Sequence, residues 1–171
     1  MAGLQTVKRH EGRACGLHAV VILLLAGMFF AASAKALFAQ EGMVLRITDW
    51  KTGTLYAEAP ARENSHLSFG WIHSWEKIPW NEYYHIDAAR QLVLDAITFP
   101  AFGAGIPENK GRVCYIKDGL IHMEEISQIF KELVWLNSHS ATRDITLDGA
   151  LITRGSDLPQ HTRLRLAVEK R

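Results

Sequence analysis

Beyond residue 43 the sequence predicts an all-β fold, a single antiparallel β sandwich or barrel of about 9–10 short strands built from successive hairpins, preceded by one N-terminal hydrophobic helix. Three observations predict it. Apolar and polar residues alternate with period two, turn signals recur every eight to twelve residues, and two Asp-Gly pairs stand between apolar runs. Period-two alternation gives a strand one apolar face and one polar face. An Asp-Gly pair supplies the two positive-φ positions that a two-residue type I′ hairpin turn requires.

Taken in order, the chain begins with Lys8, Arg9 and Arg13 ahead of "GLHAVVILLLAGMFFAASA", residues 16–34, which contains no Lys, Arg, Asp or Glu. A basic flank followed by an apolar stretch is the pattern of a signal sequence, and this one approaches the roughly 20 residues that span a bilayer. Ala32-Ser33-Ala34 and Ala34-Lys35-Ala36 are small-residue cleavage patterns. Residues 1–39 therefore read as a signal peptide or a retained membrane anchor. Either form places residues 40–171 across the cytoplasmic membrane as one extracytoplasmic β domain, because basic flanks stay inside.

Strand-like runs then follow. "MVLRIT" and "TLYAEA" flank "DWKTG"; "HLSFGWIHSW" and "WNEYYHID" flank Glu76-Lys77-Ile78-Pro79; "QLVLDAITF" comes next. "RVCYIK" and "LIHMEE" flank Asp118-Gly119, and "DITL" and "ALIT" flank Asp148-Gly149. In the last run, "TRLRLAVE", Leu164, Leu166 and Val168 share one side. One segment breaks the pattern. Ile126, Ile129, Phe130, Leu133 and Val134 fall at helical spacing with Ser127 as a cap, so a turn or short helix is expected up to about Phe130, with a strand after it.

Charge and cysteine content exclude some partners. The first 39 residues hold four basic groups and one acid, which leaves 15 Lys and Arg against 17 Asp and Glu, net −2. A near-neutral domain offers no electrostatic footprint for nucleic acid. Cys15 precedes the apolar run, and Cys114, in a strand-like run, is expected to be a small buried apolar residue. No disulfide framework, cofactor or metal is expected.

"WIHSWEKIPWNEYYHI", residues 71–86, is the densest chemistry in the chain. With Glu76 to Pro79 as a four-residue loop, Trp75 opposes Trp80, His73 opposes Glu82 and Trp71 opposes Tyr84. Directly opposed side chains lie about 4.5–5.5 Å apart at Cβ, so an imidazole and a carboxylate would meet within an aromatic column. Such a pair either satisfies itself inside a half-buried sheet or contacts a ligand on an aromatic wall. Ser74 next to His73 is no catalytic dyad, because neighbours on a strand point to opposite faces. Glu76 falls in the loop, outside the column and facing solvent. In "FPAFGAGIP", residues 99–107, Gly103 and Gly105 imply positive φ or a close backbone approach. Backbone N–H groups there would also suit an anion.

These residues resemble a known family. "HSWEKIPWNEYY" and "FGAGIP" are similar to the two signatures of the bacterial domain-of-unknown-function family numbered eighteen-fifty. "ELVWLNSHSATRDITLDG" and "LPQHTRLRLAV" extend the likeness from about Val44 to Val168. Trp75 departs from the smaller aliphatic residue that many members carry. The signature positions are His73, Ser74, Glu76, Pro79, Trp80 and Glu82, with Gly103, Ala104 and Gly105, and these are the candidate binding residues. The resemblance implies a small membrane-anchored or exported protein of a family often encoded beside TAXI-type TRAP solute transporters. It implies no established catalysis.

The expected function is thus an extracytoplasmic accessory or binding module whose partner is the transporter permease or its TAXI solute-binding protein. A small hydrolytic or lyase-type enzyme using a His73/Glu82 pair and a purely structural envelope domain are the alternatives.

Overall fold

A computed structural model describes residues 42–103 and 110–171. The predicted leader and its hydrophobic helix, together with Ala104 and Gly105, lie outside those residues. Eleven strands form among the described residues: β1 Met43–Asp49, β2 Leu55–Ala61, β3 His66–Ile72, β4 Pro79–Ile86, β5 Leu92–Phe99, β6 Val113–Lys117, β7 Leu120–Phe130, β8 Glu132–Leu136, β9 Thr142–Leu147, β10 Ala150–Arg154 and β11 Arg163–Lys170. They build two antiparallel sheets, a four-stranded one in the order β2-β1-β11-β8 and a seven-stranded one in the order β10-β9-β3-β4-β5-β7-β6. The all-β expectation holds, and of sandwich and barrel the fold is the sandwich.

One core lies between the sheets. Leu45 and Ile47 of β1 and Leu164, Leu166 and Val168 of β11 face Leu67, Phe69, Trp80, Tyr84, Leu94, Ile97, Phe99 and Met123 of the larger sheet. The alternation read along β11 is therefore the inward face of that strand. Both Asp-Gly pairs make the predicted turns: Asp118 and Gly119 have φ of 52° and 75°, and Asp148 and Gly149 have φ of 49° and 80°.

The turn or short helix expected up to about Phe130 is replaced by strand, while the strand expected after it forms as β8. β7 runs straight through the segment, with Leu94 opposite Gln128 but Ala96 opposite Glu124. Three residues, 125–127, therefore face the single Asp95, and Glu125 and Ser127 both take φ of 56°. This enlarged β-bulge, three residues against one, shifts the face that side chains occupy, so apolar residues on either side of it imitate helical spacing. Cys114 is likewise not buried. It is exposed on β6, because β6 is the outermost strand of the larger sheet.

Three carboxylates tie the ends of strands. Asp148 Oδ1 accepts from His66 N–H (2.8 Å) and Oδ2 from the Ser65 hydroxyl (2.9 Å), joining the β9–β10 turn to the start of β3. Asp49 accepts from the Lys51 and Thr52 N–H groups in the β1–β2 turn, and Glu169 accepts from Arg165 and Arg46. These donors hold all three below the ordinary carboxylate range. Since the folded values lie below the unfolded ones, the stabilisation is complete above the usual carboxylate range and is lost as pH falls through the lowered values. Melting temperature should fall in acid, and Asp148→Asn should lower it at neutral pH while flattening its decline. An acid profile unchanged in that variant would show that the Asp148 bridge contributes nothing.

Candidate functional site

The hairpin of β3 and β4 positions the signature residues. Trp71 is opposite Trp80, Phe69 opposite Glu82 and Leu67 opposite Tyr84. The loop is Ser74–Lys77: His73 N–H donates to Ile78 C=O (2.8 Å) and Lys77 N–H to His73 C=O (2.9 Å). This corrects the expected register, in which Glu76 to Pro79 formed the loop and His73 faced Glu82. Lys77 takes φ of 58°, a left-handed position that Gly or Asn usually signals, while Pro79 opens β4, where a strand tolerates its missing N–H. The offset is even, so each side chain keeps its expected face, but the His73/Glu82 pair is not made.

Glu82 finds its partners on its own strand instead. Its carboxylate accepts from Trp80 Nε1 (3.2 Å) and from the Tyr84 hydroxyl (2.6 Å). Residues two apart on a strand share a face, so the Trp-x-Glu-x-Tyr spacing is itself the signal for this network. Phe69 and Ile97 flank Glu82 on the neighbouring strands, and both are buried. A carboxylate at the margin of an apolar core costs several kcal/mol unless it is hydrogen-bonded, and the two donors offset that cost. Burial first, then the Glu82 charge and hydrogen bond, push the Tyr84 hydroxyl far above the ordinary phenol range. It therefore remains a donor at any pH the protein meets.

Around this network the rings form a continuous stack. Trp80 lies parallel to Phe99 with centroids 4.8 Å apart, and Phe99 meets Phe102 edge-on at 5.7 Å. On the loop side Trp71 stacks with His73 at 5.6 Å, and His73 lies 6.0 Å from Trp80. His73 Nδ1 also accepts from the Glu76 N–H at 3.4 Å.

The tip of the hairpin meets the second signature. A Cβ built on Gly103 would lie within 3.0 Å of the Glu76 side chain, so the glycine leaves room for that carboxylate and a larger residue would displace it. Glu76 is half-buried there and not simply solvent-facing, whereas Trp75 beside it is 76% exposed. Ser74, also exposed, borders an apolar pocket of about 340 Å³. Phe69 and Trp71 line it from β3, Trp135 and Leu136 from β8, and Thr142 from β9. The sequence had shown Trp135 only as a strand residue, since contact between β3 and β8 joins different sheets.

The candidate residues thus divide. Trp80 and Glu82 are built into the wall of the core, Pro79 starts β4, and His73 closes the loop. Ser74, Glu76 and Gly103 gather at the tip, and Ala104 and Gly105 lie outside the described residues. His85, by contrast, pairs with Asp95 at 2.8 Å on the opposite face of the sheet.

A family model described as a domain of unknown function (DUF1850) matches residues 67–153, about half of the chain. The match runs from β3 to β10 and takes in both signatures. No curated protein and no solved structure matches the chain.

Removing one donor from the internal network should be measurable. Tyr84→Phe should cost roughly 1–3 kcal/mol in denaturant unfolding. Glu82→Leu should cost more than Glu82→Gln, because glutamine keeps an acceptor for both donors. Equal losses for Gln and Leu would show that the two donors do not need the carboxylate.

Proposed function

The chain belongs to the DUF1850 family, and from that premise we propose that it is an extracytoplasmic accessory module that binds a membrane-transport partner through the tip of the β3–β4 hairpin. The observation that carries this reading is the meeting of Glu76 with Gly103 next to the exposed Trp75. Two segments some thirty residues apart converge on one small surface. A loop carboxylate set against a glycine fills no part of the core. An exposed tryptophan beside a positioned charge has the composition of a binding anchor, since tryptophan is enriched among residues that dominate binding energy.

The partner is the TAXI-type TRAP permease or its solute-binding protein, a choice that rests on the family resemblance. The leader read at residues 1–39 would deliver the domain across the cytoplasmic membrane and, if uncleaved, hold it there. The near-neutral domain suits a protein partner and not a polyanion. No observation favours the hydrolytic alternative: it required Glu82 to orient His73, and Glu82 instead receives the Trp80 and Tyr84 donors.

Purification from native membranes tests the proposal. The wild-type chain should bring down transporter subunits, Trp75→Ala and Glu76→Ala should lose them, and melting temperature should shift by no more than about 1 kcal/mol equivalent. Gly103→Ala should displace the Glu76 side chain and act like Glu76→Ala. If transporter subunits never accompany the wild type, or solute uptake is unchanged in a deletion strain, the proposal is wrong.

A further inference from the structure

β6 is exposed on both of its faces. All five residues from Val113 to Lys117 are exposed, and Ile116 is 74% exposed. Cys114 lies opposite Met123 and Ile116 opposite Ile121, so both stand on the face that elsewhere forms the core. Met123 and Ile121 are buried; one strand further out, the covering sheet no longer reaches. Among the described residues, β6 pairs only with β7, and its register is unbroken.

Two of the other sheet edges carry features that discourage pairing. β2 contains Pro60, and β10 is interrupted by a register shift against β9. β6 has neither.

The hydrogen-bonding pattern of that edge follows from its turn. Lys117 and Leu120 close the two-residue Asp118-Gly119 loop, and such a closing pair exchanges its backbone hydrogen bonds. Lys117, Tyr115 and Val113 therefore turn their N–H and C=O groups toward β7. Cys114 and Ile116 turn theirs outward, to the open edge.

We propose that β6 is a self-association edge, on which a second copy of this chain adds its own β6 antiparallel about a two-fold axis at Tyr115. The sequence of the edge carries this choice. In that register Cys114 and Ile116 face Ile116 and Cys114 of the other copy, so outward backbone groups meet outward backbone groups. The uncovered apolar residues then pack together on one face. Arg112 faces Asp118 of the other copy at both ends, an opposite-charge pair repeated by the symmetry. Moving the axis to Cys114 would set Arg112 against Ile116, and moving it to Ile116 would set Asp118 against Cys114. On this face, only the Tyr115 axis leaves no charge against an apolar side chain; on the other face Tyr115 meets its counterpart and the aliphatic stem of Lys117 lies along Val113. Arg112 already reaches Glu125 at 3.0 Å while its side chain is 83% exposed, so it is free to share a second carboxylate.

Sedimentation of the full-length chain in detergent, with Cys15→Ser leaving Cys114 as the one thiol, tests the edge. A concentration-dependent dimer is expected. A nitroxide on Cys114 should show dipolar broadening, because diagonal neighbours across paired strands lie about 7–8 Å apart. Ile116→Lys should give a monomer that melts at the temperature the wild type shows when diluted below its dimerisation range, and Arg112→Asp should weaken the dimer several-fold. A wild-type monomer at every concentration would overturn the proposal. So would a dimer that survives Ile116→Lys, or one whose labels show no broadening.

Discussion

The apolar inner face of a seven-stranded sheet must be covered, and only four strands are available to cover it. Burial of a large aliphatic side chain is worth roughly 1.5–3 kcal/mol, so the limit of that cover decides which residues stabilise the fold. Inward side chains of β9, β3, β4, β5 and the first half of β7 lie within it and are buried, apart from the half-buried Trp71 and Glu82. Beyond it, Cys114 and Ile116 occupy equivalent positions on the sheet and are exposed. β8 forms the other margin, where Trp135 and Leu136 line a pocket against β3 instead of closing on it.

Within the covered region the position of the hairpin tip follows from the core. Trp80 stacks on Phe99 and Tyr84 is almost fully buried, and their spacing on β4 places Glu82 between two donors. A shift of β4 by one residue would turn all three away from the core and leave a carboxylate without partners. With β4 fixed against β3, the four-residue loop has only one place to close. Parallel stacking of Trp80 on Phe99 anchors the end of β5, from which Phe102 and Gly103 follow. The contact of Glu76 with Gly103 is therefore set by burial several residues away from it.

This is also why the sequence disclosed some features and hid others. Period two reported which face each side chain occupies, and the residues that remain in β3 and β4 lie on the face so assigned, whereas Trp75 is carried into the loop. Register depends on the loop, and the loop turns on a left-handed Lys77 that no glycine or asparagine announces. The bulge at 125–127 was concealed in the same way, since Glu125 and Ser127 adopt positive φ without a permissive residue. Where Asp-Gly supplied the chemistry of the turn, at 118–119 and 148–149, the hairpins were legible. Exposure of Cys114 was not legible, because strand order within a sheet is a long-range property that local alternation does not encode. The partners of Glu82 are hidden for a different reason: Trp80 and Tyr84 stand two residues away on the same strand and not across from it.

The hairpin tip and the β6 edge are geometrically compatible. Asn81 pairs with Thr98, Phe99 with Ile121 and Ile116 with Ile121, so the 74–77 loop, Gly103 and the 118–119 turn all lie at one end of the larger sheet. Antiparallel joining of two copies through β6, with matching faces on the same side, sets the two-fold axis normal to the sheet. The hairpin tips then lie at opposite ends of the joined sheet, well apart. A partner engaged at Trp75 and Glu76 would meet neither the second copy nor the edge that holds it. Binding and self-association can therefore be separated by mutation, and the loss of one would leave the other intact.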